Sequence, residues 1–237
     1  MDLLIDLEVS SVDFSASIIG NKAYNLALMA SNHKEVNFPK SVILPSTVKI
    51  EEAGILDSVV KEVCDCVTFP VIMRSSTSVE DSGNSFAGLF ESEICYESRK
   101  IADCVRYVKA SAETEQVKEY AKIVGVDFDK IKSAVLIQEY KKAEMSGVLF
   151  TKNPVTNDDK VIYIEYKENS SDSVTGGYQT PSSLMLNKNS YKNSEFPFAD
   201  LCDIAIKAEK QFGYPLDIEY IVSNDKLWIV QVRQITT

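Results

Sequence analysis

The stretch DIEYIVSNDKLWIVQVR near the end of the chain constrains the fold more tightly than any other segment. Asp217 to Val222 and Leu227 to Arg233 are rich in β-branched and aromatic residues, and the polar SNDK between them reads as a turn. That combination predicts an antiparallel hairpin. Side chains alternate between the two faces of a strand, so Asp217 and Glu219 leave one face together, and so do Gln231 and Arg233 on the returning strand. The same alternation assigns Ile218, Tyr220, Val222, Trp228 and Val230 to the opposite, buried face. A sheet with one apolar face must be covered by another layer.

Further strands are predicted at Ser41–Leu44, Val71–Arg74 and Leu89–Cys95, and again over 133–140, 146–151, 161–166 and 182–186. In IIGNKAYNLALMA the Gly20-Asn21 pair breaks the chain, and a short helix follows from Ala23 to Ala30 with Leu26 and Ala30 inward. Apolar residues recur at helical spacing from Ser98 to Val124, which predicts two helices broken near Ser111–Thr114 and closed by Gly125. Ala199 to Phe212 forms an amphipathic helix stopped by Gly213. Helices mixed with mostly antiparallel strands define an α+β protein. The 237 residues suit one large domain or two closely packed lobes, and no repeat or linker-like tract divides them.

Composition removes several functions. Hydrophobic residues make up 45% of the chain, enough for a sizeable core, yet no window approaches the ~18 apolar residues of a transmembrane span. The opening MDLLIDLEVSS carries acids where a secretory signal carries Lys or Arg, so a cytoplasmic location is expected. A net charge of −10 argues against nucleic-acid and anionic-membrane surfaces, which need clustered cations. The five cysteines show no disulfide spacing, and Cys64-x-Cys66 lacks a second pair for a metal. They are expected to be reduced thiols, mostly core filler. The chain holds a single histidine, His33, expected in a solvated loop, so a Ser-His-Asp triad or His-based zinc site elsewhere would depend on it alone.

Two stretches carry candidate chemistry. About the SNDK turn, Glu219 and Gln231 come out near-opposite, and directly facing residues have Cβ atoms ~5 Å apart. A carboxylate and an amide oxygen at that separation can share a hard cation such as Mg²⁺, with Arg233 beside them to hold a phosphate oxygen. The same spacing equally fits polar residues on the solvated face of an edge hairpin. The second stretch is MRSSTSVEDSGNSFAGLFES, where a strand and Arg74 are followed by Ser75, Ser76 and a Gly/Ser loop through Gly88. Backbone N–H groups in such loops can wrap phosphate oxygens, although a surface turn cluster has a similar composition. No GxxxxGK[ST] P-loop is present.

Taken together, IGNKAYNLA, RSSTSVEDSGNSFAGLFES, VLIQEYKKAEMSGVLFTKNP and DIEYIVSNDKLWIVQVRQIT resemble the ATP-binding domain of the PEP synthase/pyruvate phosphate dikinase family, in family order. The resemblance implies an ATP-grasp-like fold: two packed lobes, 1–140 and 141–237, with nucleotide bound between them. It implies that Lys22 and Arg74 contact the phosphates, that Ser85, Phe86, Ala87 and Gly88 form a lid loop over them, and that Gln138, Glu139 and Tyr140 form the adenine hinge through backbone groups. Glu219 and Gln231 match the metal ligands, Asp217 falls among the cofactor-binding positions, and Arg233 matches the arginine that stabilises the transferring phosphoryl group. ATP and Mg²⁺ are the implied cofactors. Asn21 departs from the family pattern, which has a second glycine there.

The resemblance therefore implies an ATP-dependent phosphotransferase module that passes a phosphoryl group to a histidine on a separate or missing domain. Two other readings remain open at this point. One is a self-contained kinase acting on a small acceptor such as a pyruvate-like acid, an amide nitrogen, a sugar or an antibiotic. The other is a degenerate regulatory protein.

Overall fold

The structure is a computed structural model that describes residues 3–7, 14–79, 86, 88–168 and 180–235. The chain divides into two compact units. The first is Met1–Ser31 with Pro39–Tyr140, and the second is Asn32–Phe38 with Lys141–Thr237.

The first unit contains β1 (Ile5–Asp6), α1 (Ala16–Ile19), α2 (Asn21–Asn32), β2 (Ser41–Leu44), α3 (Ile55–Cys66), β3 (Val71–Thr77), β4 (Ser92–Cys95), α4 (Ile101–Ala110), α5 (Glu115–Ile123) and β5 (Ser133–Glu139). Its five strands form an antiparallel sheet in the order β1-β2-β5-β3-β4. β5 lies at the centre, and its consecutive Val135, Leu136 and Ile137 are fully buried, as expected where both faces of a strand are covered. One face carries Val42, Leu44, Val71, Met73, Val135 and Ile137 against Leu56, Val59 and Val63 of α3 and Ile101, Val105 and Val108 of α4. The other face carries Arg74, Ser76, Leu136 and Gln138, because Ile72 pairs with Gln138 and Arg74 with Leu136.

The predicted helix pair is present: α4 ends at Ala110, a single 3₁₀ turn spans Ser111–Glu113, and Thr114 caps α5 by accepting the Val117 N–H. Gly125 follows at φ 72°. The Gly20 break is also present, with α2 starting two residues earlier than expected. Asn21 is the first residue of α2 and is absent from the positive-φ residues, so no second glycine is needed there. Its amide donates to Ser78 O.

The second unit contains β6 (Met145–Phe150), β7 (Val161–Glu168), β8 (Ser182–Asn187), α6 (Phe198–Phe212), β9 (Leu216–Ser223) and β10 (Lys226–Gln234). These strands form a second antiparallel sheet, ordered β10-β9-β6-β7-β8. Its apolar face gathers Leu149, Ile164, Ile218, Tyr220, Ile229 and Val232, all buried. Phe198 of α6 packs on Tyr166, with ring centroids 5.0 Å apart. Gly213 at φ 76° ends α6, its N–H returning to Glu209 O.

Three expectations are corrected. Trp228 is not on the buried face of the hairpin: it pairs with Ile221, on the Glu219 face, because an irregularity between Ile229 and Gln231 reverses the alternation. Ser75, Ser76 and Thr77 are not loop residues. They extend β3, pair with Val135, Ala134 and Ser133, and are fully buried, so their backbone serves the sheet. His33 is not solvated either. It is 7% exposed, and its Nε2 lies 2.8 Å from Gln211 Oε1. All five cysteines are free. Among the described residues no helix is long and apolar enough to cross a membrane.

Candidate functional site

In the second unit the candidate residues occupy one face of the last hairpin. Asn224 and Asp225 both have positive φ, 51° and 55°, so the turn has two central residues and pairs Ser223 with Lys226. Val230 is extra to the ladder, and beyond it Gln231 pairs directly with Glu219 and Arg233 with Asp217. The carboxamide of Gln231 is buried, whereas Glu219 is half-buried. Their oxygens are hard donors on facing residues, which suits a cation that takes one or two protein ligands and completes its shell with water and phosphate. Among the described residues there is no cluster of three or more His, Cys, Asp or Glu side chains arranged to hold a metal.

Beside them Arg233 donates from Nε to Asp217 Oδ2 at 2.7 Å, and one Nη lies 2.6 Å from the same oxygen as an ion pair. Burial pushes the Asp217 carboxyl above its ordinary range, an effect opposed by the Arg233 charge and reinforced by Glu219. Glu165, which belongs to none of the sequence motifs above, stands in the same row: it pairs with Val148, which pairs with Glu219. Tyr163 donates to its carboxylate at 3.3 Å. The period-two pattern of VIYIEYKE carried that signal, since Tyr163 and Glu165 alternate with the buried Ile162 and Ile164.

In the first unit Lys22 sits in the opening turn of α2 and is 8% exposed. Its Nζ donates to Ser75 O at 3.1 Å. Ser76 locks this helix start in place, since its hydroxyl donates to Ile19 O and accepts the Ala23 N–H. Gly20 passes so close that a Cβ there would lie 2.0 Å from Ser76 O. Arg74 is in the middle of β3, on the same sheet face as Gln138. Gln138 is 1% exposed, and neither its amide nitrogen nor its oxygen has a hydrogen-bond partner among the described residues.

The hinge residues divide between the two faces. Glu139 points to the other side of the sheet, where its carboxylate accepts the Thr68 N–H. The backbone N–H groups of Glu139 and Tyr140 are engaged by Lys40 O and Pro70 O. Of the expected lid, Ser85 and Ala87 lie outside the described residues. Phe86 is buried in an aromatic cluster, edge-on to Tyr120 at 4.8 Å and stacked on Phe90 at 5.7 Å. Gly88 is exposed at φ 77°.

Residues 44–197 and 192–237 match the family model described as "Pyruvate phosphate dikinase, AMP/ATP-binding domain". Among curated proteins, the chain is 28% identical over 206 residues to the uncharacterized phosphotransferase YvkC of Bacillus subtilis, a match covering 70% of this chain and 24% of that protein. It is also 28% identical over 212 residues to the phosphoenolpyruvate synthase of Pyrococcus furiosus, covering 70% and 26%. The chain thus spans about a quarter of the length of these relatives. Among solved structures it is similar to the L-amino acid ligase of Bacillus licheniformis, with a TM-score of 0.48, 12% identity and coverage of 91% of this chain and 42% of that one. For the D-alanine–D-alanine ligase of Bacillus anthracis complexed with ATP the TM-score is 0.45, with 13% identity and coverage of 91% and 55%.

Proposed function

This chain belongs to the pyruvate phosphate dikinase AMP/ATP-binding domain family, and from that premise we propose that it binds Mg-ATP and readies a phosphoryl group for transfer to a histidine on a separate domain or protein. The observation that carries the reading is the facing pair Glu219 and Gln231, with Arg233 held beside them by Asp217. A solvated edge hairpin has no need of a bulge that aligns a carboxylate with a buried carboxamide.

Phosphoryl transfer demands little covalent chemistry of a protein; positioning and charge neutralisation dominate. Glu219 and Gln231 would hold the magnesium ion, which when bound supplies positive charge across the phosphate oxygens. Arg233 would hold a phosphate oxygen while charge shifts between the oxygens. Lys22 and Arg74, which the resemblance matches to phosphate contacts, would neutralise phosphate charge, and the α2 N-terminus at Lys22 itself favours anions. Gln138 would meet the base through its side chain, because the N–H groups of Glu139 and Tyr140 are already used within the protein.

The test is calorimetric titration with ATP, with and without Mg²⁺, followed by phosphorus NMR of the mixture. Magnesium-dependent binding with ATP persisting until a histidine-bearing partner is added is the expected result. Consumption of ATP with a small acceptor alone, for which pyruvate and glutamine serve as probes, would identify a self-contained kinase instead. Absence of binding would rule out both and leave a degenerate, regulatory protein.

A further inference from the structure

We propose that Asp217 is a positioning residue for Arg233, and not itself a contact of the nucleotide or its cation; this rests on the nucleotide-binding reading above. The bulge at Val230 makes the two residues direct cross-strand partners. In an unbroken ladder from the same turn, Asp217 would face Val232. Two nitrogens along one edge of the guanidinium converge on Asp217 Oδ2, Nε donating a hydrogen bond at 2.7 Å and one Nη in ion-pair contact at 2.6 Å. A planar guanidinium gripped along one edge has its rotation fixed, and its opposite edge then faces away from the carboxylate.

Burial divides the roles. The Asp217 side chain is 6% exposed and that of Arg233 32%, so the carboxylate is the enclosed anchor and the guanidinium the end that reaches solvent. The second carboxylate oxygen, Oδ1, is buried and has no hydrogen-bond partner among the described residues, so it is Oδ2 that holds the guanidinium. A long arginine side chain carries much rotamer freedom, and a fixed carboxylate removes it before any phosphate arrives.

The sign of the effect separates positioning from plain electrostatics. Removing a negative charge beside an anion-binding site strengthens anion binding if charge alone matters. Removing a positioning residue weakens it.

The experiment uses the full chain as wild type, Asp217→Asn, Arg233→Ala, Arg233→Lys and the Asp217→Asn/Arg233→Ala double variant. ATP and AMP affinities are measured by calorimetry with and without Mg²⁺, and the Arg233 Nε–H resonance is followed in the ligand-free protein. We expect Asp217→Asn to lose that slowly exchanging resonance. It should weaken ATP binding by roughly tenfold, the scale of one charge-assisted hydrogen bond, while AMP stays within about twofold. Arg233→Lys, which keeps the charge but not the fork, should lose the same factor. The double variant should bind ATP no more weakly than Arg233→Ala. Unchanged or tighter ATP binding by Asp217→Asn overturns the inference, and so does an equal loss for AMP, which marks structural damage. A magnesium-dependent loss that persists in the Arg233→Ala background makes Asp217 a cation contact and overturns it too. If the wild type binds no ATP, the functional reading itself fails and takes this inference with it.

Discussion

Glu219 and Gln231 stand directly opposite one another across β9 and β10, and they do so because Val230 is extra to the ladder. A two-residue turn that pairs Ser223 with Lys226 would, in a regular ladder, set Glu219 against Val230. One added residue moves Gln231 into that place and Arg233 opposite Asp217, which brings both onto the face where Trp228 already stands opposite Ile221. Bulges that re-aim side chains beside functional sites are a recurrent device of sheets.

The turn that starts this register is itself testable. Asp225 holds φ 55°, a conformation that disfavours β-branched residues. Asp225→Val should destabilise the protein by about 1–2 kcal/mol, lowering Tm by about 2–8 °C. Asp225→Gly should be neutral or slightly stabilising, since glycine is the preferred second residue of such turns. Equal melting temperatures for the two variants in differential scanning calorimetry would contradict the left-handed turn.

Gly20 joins α1 to the helix that carries Lys22. Its φ is 76°, and an added Cβ would strike the Ser76 carbonyl, which belongs to a strand paired on β5 and cannot yield. Gly20→Ala should cost at least about 2 kcal/mol, or about 4–8 °C in Tm. Gly54→Ala is the control, with φ 78° and no atom within 4 Å of the added Cβ, and should cost about half as much. Similar losses at both positions would mean that the close approach to Ser76 contributes nothing.

Gln138 offers a trade between stability and binding. Its buried amide lacks partners among the described residues, and an unsatisfied buried polar group costs about 1–3 kcal/mol. Gln138→Leu should therefore raise the urea midpoint of the ligand-free protein. The same change should weaken ATP binding by roughly tenfold if the amide meets the base. A lower midpoint would show instead that Gln138 supports the fold.

Alkaline pH should destabilise the protein, and three groups with raised pKa contribute. Burial pushes the Cys104 and Cys202 thiols up from 9.0 to about 12, and the hydrogen bond to Asp203 takes Tyr191 from 10.0 to about 12. In each case the folded pKa lies above the unfolded one, so the unfolded chain ionises first. The stability they contribute is complete below pH about 9 and is lost as pH rises to about 12. Urea midpoints measured across that window should fall steadily, and less steeply in Cys202→Ala. A flat profile would mean that these groups are as solvated in the folded protein as in the unfolded chain.

Much of this protein was determined by local pattern in the sequence. The hairpin, the helix pair broken before Thr114, the Gly213 stop and the strands of both sheets except β1 follow from periodicities of two and 3.6 and from turn residues, which act over a few neighbours. The candidate residues were legible as types: a carboxylate and an amide about a turn, and an arginine in a strand. Tertiary structure decided what each one faces. The bulge at Val230 exists because β9 fixes the hydrogen-bond ladder of β10, and no count along one strand reveals it. Ser75 to Thr77 became strand because β5 supplied partners and Gly20 admitted the Ser76 backbone. His33 became buried because Gln211, 178 residues away in sequence, came within hydrogen-bond reach of its ring. Glu139 and Gln138 are adjacent in the chain, yet the pleat sends one to a loop and leaves the other enclosed, with no partner among the described residues. Alternation is a property of the local backbone, whereas register and burial belong to whichever distant segment packs against it.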